Sequence, residues 1–194
     1  MGQKIEENKE LKEKKLLDSA FKLFSKKGFK DTSIQNIVDD AGVAKGTFYL
    51  YFKDKYELQD ALIVNISQKL FSDALKNINK KNITDFYDRI IGIMDYIIDE
   101  FVKNKQLLTI ISKDLSWGLF GDKLSNVMRQ SSEIIDMFKK GIKENNIKID
   151  NPEVTLFMIV ELSSSVVCSS ITLNRPLPIE EVKPYLYNTI RKML

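Results

Sequence analysis

The chain reads as an all-α protein of about nine helices in two unequal groups. An N-terminal three-helix domain of helix-turn-helix type precedes a larger helical C-terminal domain. Three observations predict this. Only 4 Pro and 8 Gly interrupt 194 residues. Apolar residues recur at helical spacing, and the apolar–polar alternation of a half-buried strand is missing. Cap signals stand at helix-length intervals.

The first helix is expected from about Asn8 to Lys27, with Leu16, Leu17, Ala20, Phe21, Leu23 and Phe24 as its apolar stripe. Lys26 and Lys27 suit its C-terminus, and Gly28 suits the left-handed position beyond it. Thr32 with Gln35 reads as a capping box that opens a second helix at Ser33. That helix turns Ile34, Ile37, Val38 and Ala41 inward and stops at Gly42. A third begins near Ala44 and ends near Tyr51. Asp54 with Glu57 opens a long fourth helix to about Ile78, and Thr84 caps a fifth to about Lys103. Helices from about Gln106 to Trp117 and from Asp122 to Glu144 follow. Asn151-Pro152 pairs a cap with proline at the first helical position and starts the most apolar helix, to Leu173. The last helix reaches Leu194, with Pro184 either in its first turn or at a kink. Composition divides the chain at residue 55, giving domains 1–55 and 56–194.

Composition also excludes functions. The chain has no His and one Cys, so His-based acid–base catalysis, Ser-His-Asp triads, an internal disulfide and the usual zinc sites are not available. No glycine-rich phosphate loop or metal-ligand cluster stands out. An enzyme is not expected, nor is a cofactor. No apolar run reaches about 18 residues and the N-terminus lacks a signal-type apolar core, so a cytoplasmic location is expected. Residues 1–55 carry 12 Lys, no Arg and nine Asp and Glu, whereas the remainder balances 18 against 18. The positive excess thus lies wholly in the first quarter, as for contact with a polyanion. A solvated Lys/Glu helix face would give the same count.

The stretch GVAKGTFYLYFKDK, residues 42–55, concentrates the argument. A helix, a tight turn containing Gly and a second short helix form the helix-turn-helix pattern. Ile37, Val38, Ala41, Val43, Phe48 and Tyr51 stand where they pack these helices on the first one. Lys45, Gly46, Thr47 and Tyr49 are left on the other side, at the end that meets bases and phosphates when a helix enters the major groove. Lys45 can donate to guanine or to phosphate. Gly46 lets backbone approach closely. Thr47, Tyr49 and Tyr51 offer hydroxyls to phosphate. Thr32 and Ser33 stand at the preceding helix's N-terminus, which favours an anion, and Lys55 can reach the same backbone. The plain alternative is an aromatic core flanked by solvated lysines. Tyr51 could serve either side.

Residues 16–58 resemble the DNA-binding domain of the TetR family of transcriptional regulators. The matches are Ala20, Leu23-Phe24, Gly28-Phe29, Thr32-Ser33, Ile37, Ala41-Gly42-Val43, Gly46-Thr47, Tyr49, Phe52, Lys55 and Leu58. Tyr51 departs from the pattern, since many members carry His there. The resemblance implies a homodimeric repressor that binds a palindromic DNA operator and is released by a small molecule in the C-terminal domain. Thr32, Tyr49 and Lys55 would contact phosphates, with Lys45, Gly46 and Thr47 against bases and backbone. An activator or ligand-independent regulator of the same fold, and a helical protein-interaction module without DNA binding, are the alternatives.

The family layout places the effector among the middle helices. The candidate lining is Tyr96, Phe101, Ile111, Trp117, Phe120, Met128, Phe157, Glu161 and Cys168, each apolar member equally accountable as core. Glu161 in an apolar stretch needs a partner, either a cationic ligand or a Lys or Arg of the chain. Asp95 and Asp99, one turn apart, are expected on a solvated face. The last two helices are the expected dimer interface, through Met158, Leu162, Ser165, Val166, Ser169, Leu186 and Ile190.

Overall fold

The computed structural model describes residues 2–111, 114–120 and 133–194. Among them are ten α-helices: α1 Gly2–Lys27, α2 Ile34–Ala41, α3 Lys45–Phe48, α4 Lys55–Lys80, α5 Phe86–Lys103, α6 Lys105–Ile111, α7 Trp117–Phe120, α8 Glu133–Glu144, α9 Pro152–Leu173 and α10 Ile179–Met193. The helix expected over 106–117 is divided: α6 ends at Ile111, and α7 is a separate turn of helix. The expected start at Asp122 lies outside the described residues. The chain forms two compact units, Met1–Ile63 and Val64–Leu194.

In the first unit α1 packs on α2, and α2 on α3. The buried stripe Leu16, Leu17, Ala20, Leu23 and Phe24 of α1 faces the same core as Ile37, Val38 and Ala41 of α2. Phe48, Phe52, Leu58 and Leu62 close it. Lys22 of α1 bridges Asp40 at 2.5 Å. The Lys22 hydrogen bond, aided by Ser19, holds the Asp40 carboxyl below the usual carboxylate range.

The cap of α2 differs from expectation by one residue. Ser33, in extended backbone, accepts from the Asn36 amide, while Asn36 Oδ1 accepts from the Ser33 amide, both at 3.1 Å. Thr32 cannot take that role because its hydroxyl turns inward and donates to the Gly28 carbonyl at 2.8 Å. At α4 Asp54 accepts from Glu57 N at 2.9 Å as expected, and only the return bond is displaced by one residue, Glu57 accepting from Lys53 N. Asp85 rather than Thr84 caps α5, accepting from Asp88 N. Asn151 caps α9 with Pro152 in its first turn.

The second unit gathers α5, α8 and α10 around α9. Two glycines mark its tightest crossings. A Cβ on Gly141 of α8 would overlap the Phe86 ring of α5, and one on Gly118 of α7 would overlap Ser67 of α4. By length and composition alone α9 could span a bilayer, with a mean hydropathy of 1.8. Its packing on α5, α8 and α10 and its buried residues Leu156, Ile159, Val160 and Val167 account for that apolarity as the middle of a helical layer. Pro184 lies inside α10, past its first turn.

Asp95 and Asp99 are half solvated, as expected, but they are also engaged by α10. Lys183 of α10 lies 3.1 Å from Asp95 and 3.2 Å from Asp99, and the Tyr187 hydroxyl donates to Asp95 at 2.6 Å. Arg191 extends this clasp to Asp88 at 2.9 Å. Helical periodicity puts the two aspartates off the apolar stripe, but it does not show that a helix 84 residues later brings a lysine to them.

Candidate nucleic-acid interface and ligand cavity

The α2–α3 turn is built by backbone. Gly42 adopts φ 65°, ψ 37°, a left-handed conformation that glycine enters without a Cβ penalty. Val43 N then donates to the Val38 carbonyl at 3.0 Å, six residues closing the helix end in the Schellman pattern. After Val43 and extended Ala44, α3 begins at Lys45.

Helix α3 has an aromatic back and a polar front. Phe48 is fully buried, and its ring lies 5.8 Å from that of buried Phe52. Lys45, Gly46 and Tyr49 are exposed, and Thr47 is half-buried. Tyr49 keeps 52 % of its surface in solvent while its ring edge packs on Phe48 at 5.4 Å. Nothing in the first unit asks for glycine at position 46. It has no left-handed φ, and a Cβ there would meet no atom within 4 Å. Leu50 was missed by the sequence reading, yet at 79 % it is the most exposed large apolar residue of the described chain. Its signal was available: the turn after α3 keeps a helical winding, with Leu50 N donating to the Thr47 carbonyl at 3.2 Å, so a residue two after buried Phe48 falls on the opposite side.

The other expected contact residues sit differently. Ser33 is exposed, with its side chain on the Asn36 amide. Thr32 is 1 % exposed and bonded to its own loop. Lys55 is half-buried: its ammonium donates to the carbonyls of Phe29 and Thr32, each at 2.7 Å, and lies 4.2 Å from the centre of the Phe29 ring. It ties the α1–α2 loop to the start of α4. Tyr51 is half-buried, its hydroxyl donating to the Lys9 carbonyl of α1 at 3.0 Å.

In the second unit a cavity of about 60 Å³ opens between α4, α5, α7, α8 and α9. Among the described residues, Phe101 is the one member of the expected lining that stands on its wall; Phe71, Met94, Ile97, Leu119 and Val167 are among the others. Ile111 is buried elsewhere, and Tyr96, Glu161 and Cys168 are half-buried away from the wall. Trp117 is 40 % exposed; Phe120 and Phe157 meet edge-on at 5.6 Å outside the cavity. Met128 lies outside the described residues. Of the expected interface residues, Met158 and Ser165 are exposed and Leu162, Val166 and Ser169 half-buried. Leu186 and Ile190 are buried within the unit itself, 4 % and 0 % exposed, with no surface left for a partner. Exposed large apolar residues on these two helices are Val154, Phe157, Met158, Leu173 and Tyr185.

A helix-turn-helix with an outward polar front defines a class of DNA-binding regulators. Comparison with known proteins narrows it. Residues 16–62 match the family of bacterial regulatory proteins of the tetR type. The Transposon Tn10 TetC protein of Escherichia coli is 30 % identical over 147 residues, covering 72 % of this chain and 70 % of that protein. The HTH-type transcriptional regulator YuxN of Bacillus subtilis (strain 168) is 33 % identical over 97 residues, 44 % of this chain but only 33 % of YuxN's own length. A TetR transcriptional regulator from Rhodococcus sp. RHA1 shares the fold at a TM-score of 0.63 and 17 % identity, with 96 % of this chain and 97 % of that one covered. The chain belongs to the TetR family of helix-turn-helix transcriptional regulators.

Proposed function

We propose that the chain is a repressor that binds a palindromic DNA operator as a homodimer and leaves it when a small molecule occupies the second unit. Residues 1–55 are the DNA reader in this reading, and residues 56–194 carry the effector site and the dimer surface. The protein acts in the cytoplasm, where its DNA is. The observation that supports it best is the division of α3, with Phe48 fully buried behind a front of Lys45, Gly46, Thr47 and Tyr49.

Lys45 is the residue for base edges, since the first 55 residues hold no Arg. Tyr49, Thr47 and Ser33 supply hydroxyls for phosphates, and Leu50 an apolar surface for a thymine methyl or a sugar. Thr32 and Lys55 act one step back by fixing the α1–α2 loop, Lys55 with one proton still uncommitted to the two loop carbonyls. Tyr51 holds α3 against α1. The dimer surface is the exposed face of α9 and α10 around Met158 and Ser165, without Leu186 and Ile190.

Two such readers address successive major grooves about 34–36 Å apart. Helix α4 supplies Leu58 and Leu62 to the first core and Phe71 to the cavity wall, all on one continuous helix. A ligand that prefers one setting of that wall shifts the population toward the DNA-incompetent state.

The test is selection of bound sequences from random duplex DNA. A palindrome with half-sites one helical turn apart is expected. Lys45→Ala should weaken binding by about 1–3 kcal/mol and relax preference at one base position. Unchanged sequence preference in that variant would overturn the assignment.

A further inference from the structure

We infer that the cavity of the second unit takes an uncharged hydrocarbon ligand, or the hydrocarbon end of a larger one, and rejects a charge of either sign. As a statement about the effector this rests on the reading of the cavity as the effector site. As a statement about the cavity it stands on the wall alone.

No titratable side chain stands on the described wall. Aliphatic, phenylalanine and methionine side chains make up all of it except Ser163 and Ser164. Both hydroxyls already donate to carbonyls of α9 itself, Ser163 to Ile159 at 2.5 Å and Ser164 to Val160 at 2.7 Å. Among the described residues a ligand therefore finds no free side-chain donor for an anion. The nearby acids offer nothing for a cation: Asp95 and Asp99 are engaged by Lys183, and Glu161 is off the wall. A water molecule needs two to four polar partners, which this wall does not provide, so an apolar guest displaces little ordered water. One water needs about 10–15 Å³ on such a measure, so about 60 Å³ holds roughly four to six water-sized volumes, the bulk of a single ring or a short chain. Met94, unbranched and adaptable, lets the space adjust to shape.

The experiment uses the full chain without DNA and three ligands built on one ring that differ by at most two heavy atoms: toluene, benzoate and benzylammonium. Calorimetric titration and melting temperature should show toluene binding and stabilising, with both ions at least tenfold weaker. Among neutral n-alkylbenzenes each methylene should raise affinity about fourfold until the space is full. Val167→Phe, which fills the cavity from α9, should abolish binding, while Ser164→Ala should leave it within about twofold. Should Val167→Phe not fold, the series on the wild type and Ser164→Ala still decide. Tighter binding of either ion, no response to toluene, or loss of binding in Ser164→Ala would overturn the inference. Toluene binding without any change in affinity for the selected DNA would leave the inference standing and sink the effector reading instead.

Discussion

Phe48 of the first unit and Phe101 of the second are almost equally buried, 0 % and 1 % exposed, yet they serve opposite surfaces. Phe48 is wholly enclosed by its core, with its ring against Phe52, and so anchors the other face of α3 in solvent. Phe101 borders a space that its neighbours leave unfilled. One region presents chemistry outward from a tight core; the other encloses it by packing incompletely. Rigidity suits a reader, because base edges are recognised only at fixed geometry. A gap suits a sensor, because an unfilled apolar wall binds whatever completes its contacts.

The contrast is broken most severely at Phe48. Phe48→Ala should destabilise the first unit by about 3–5 kcal/mol. Amide exchange across α2 should accelerate, while the unfolding curve reported by Trp117, the only tryptophan and a residue of the second unit, should hardly move. An equal shift in both signals would mean that the two regions unfold as one body.

Next comes Gly118→Ala. The added Cβ would run into Ser67 and the α4 backbone at 3.0 Å, so α7 must move. A loss of about 1–3 kcal/mol is expected, with a change in the emission of neighbouring Trp117. If stability is kept, α4 and α7 do not approach as closely as the cavity geometry requires.

These two residues also show how much the sequence disclosed. The first unit was legible almost to the residue because its signals are local: Gly42 after an apolar stripe, a cap before it, and aromatics at helical spacing. Thr32 with Gln35 fits the usual box, whereas the box that forms pairs Ser33 with Asn36, a residue outside that pattern, while the Thr32 hydroxyl turns inward. In the second unit the helices were legible but the cavity was not. Periodicity marks which face of α5 points inward; it does not say where two inward faces fail to meet. Phe101 was found on the wall, but Tyr96 and Ile111 share its apolar character without reaching it. Leu186 and Ile190 were expected at the dimer surface because the family resemblance puts the last two helices there, but an apolar stripe does not declare whether its partner is the same chain, and both are buried within the unit.

The clasp of α10 on α5 gives a smaller, pH-dependent effect. Burial works against the Asp95 carboxylate, but hydrogen bonds from Tyr187 and Lys183 prevail and lower its pKa below 3.8. Its contribution is present above pH 3.8 and is lost as pH falls through the lowered value. Burial also opposes the Lys183 charge, yet Asp95 and Asp99 raise its pKa above 10.5; that contribution is present below pH 10.5 and is lost as pH rises further. Lys183→Met should cost roughly 1 kcal/mol at pH 7, given the partial exposure of the aspartates. It should also flatten the loss of stability below pH 3.8, measured by denaturation across pH. An unchanged acid limb would show that the clasp is not what ties α10 to α5.

The smallest change in stability is the sharpest test of the comparison. Gly46→Ala puts a methyl where no atom lies within 4 Å and where no left-handed φ must be kept. On the chain's own account alanine is the better residue in α3, and stability should rise by up to about 0.5–1 kcal/mol. On the proposed reading DNA affinity should nevertheless fall, by about tenfold, because the methyl would occupy the space through which the α3 backbone nears the duplex. Thermal unfolding and binding to the selected sequence, measured on one preparation, check both halves. A variant more stable and equally tight would mean that Gly46 is an accident of the turn and that the front of α3 does not lie against DNA at this point. A variant more stable and weaker would locate the reason for the glycine outside the chain, at the place where the packed aromatic back of α3 delivers its front.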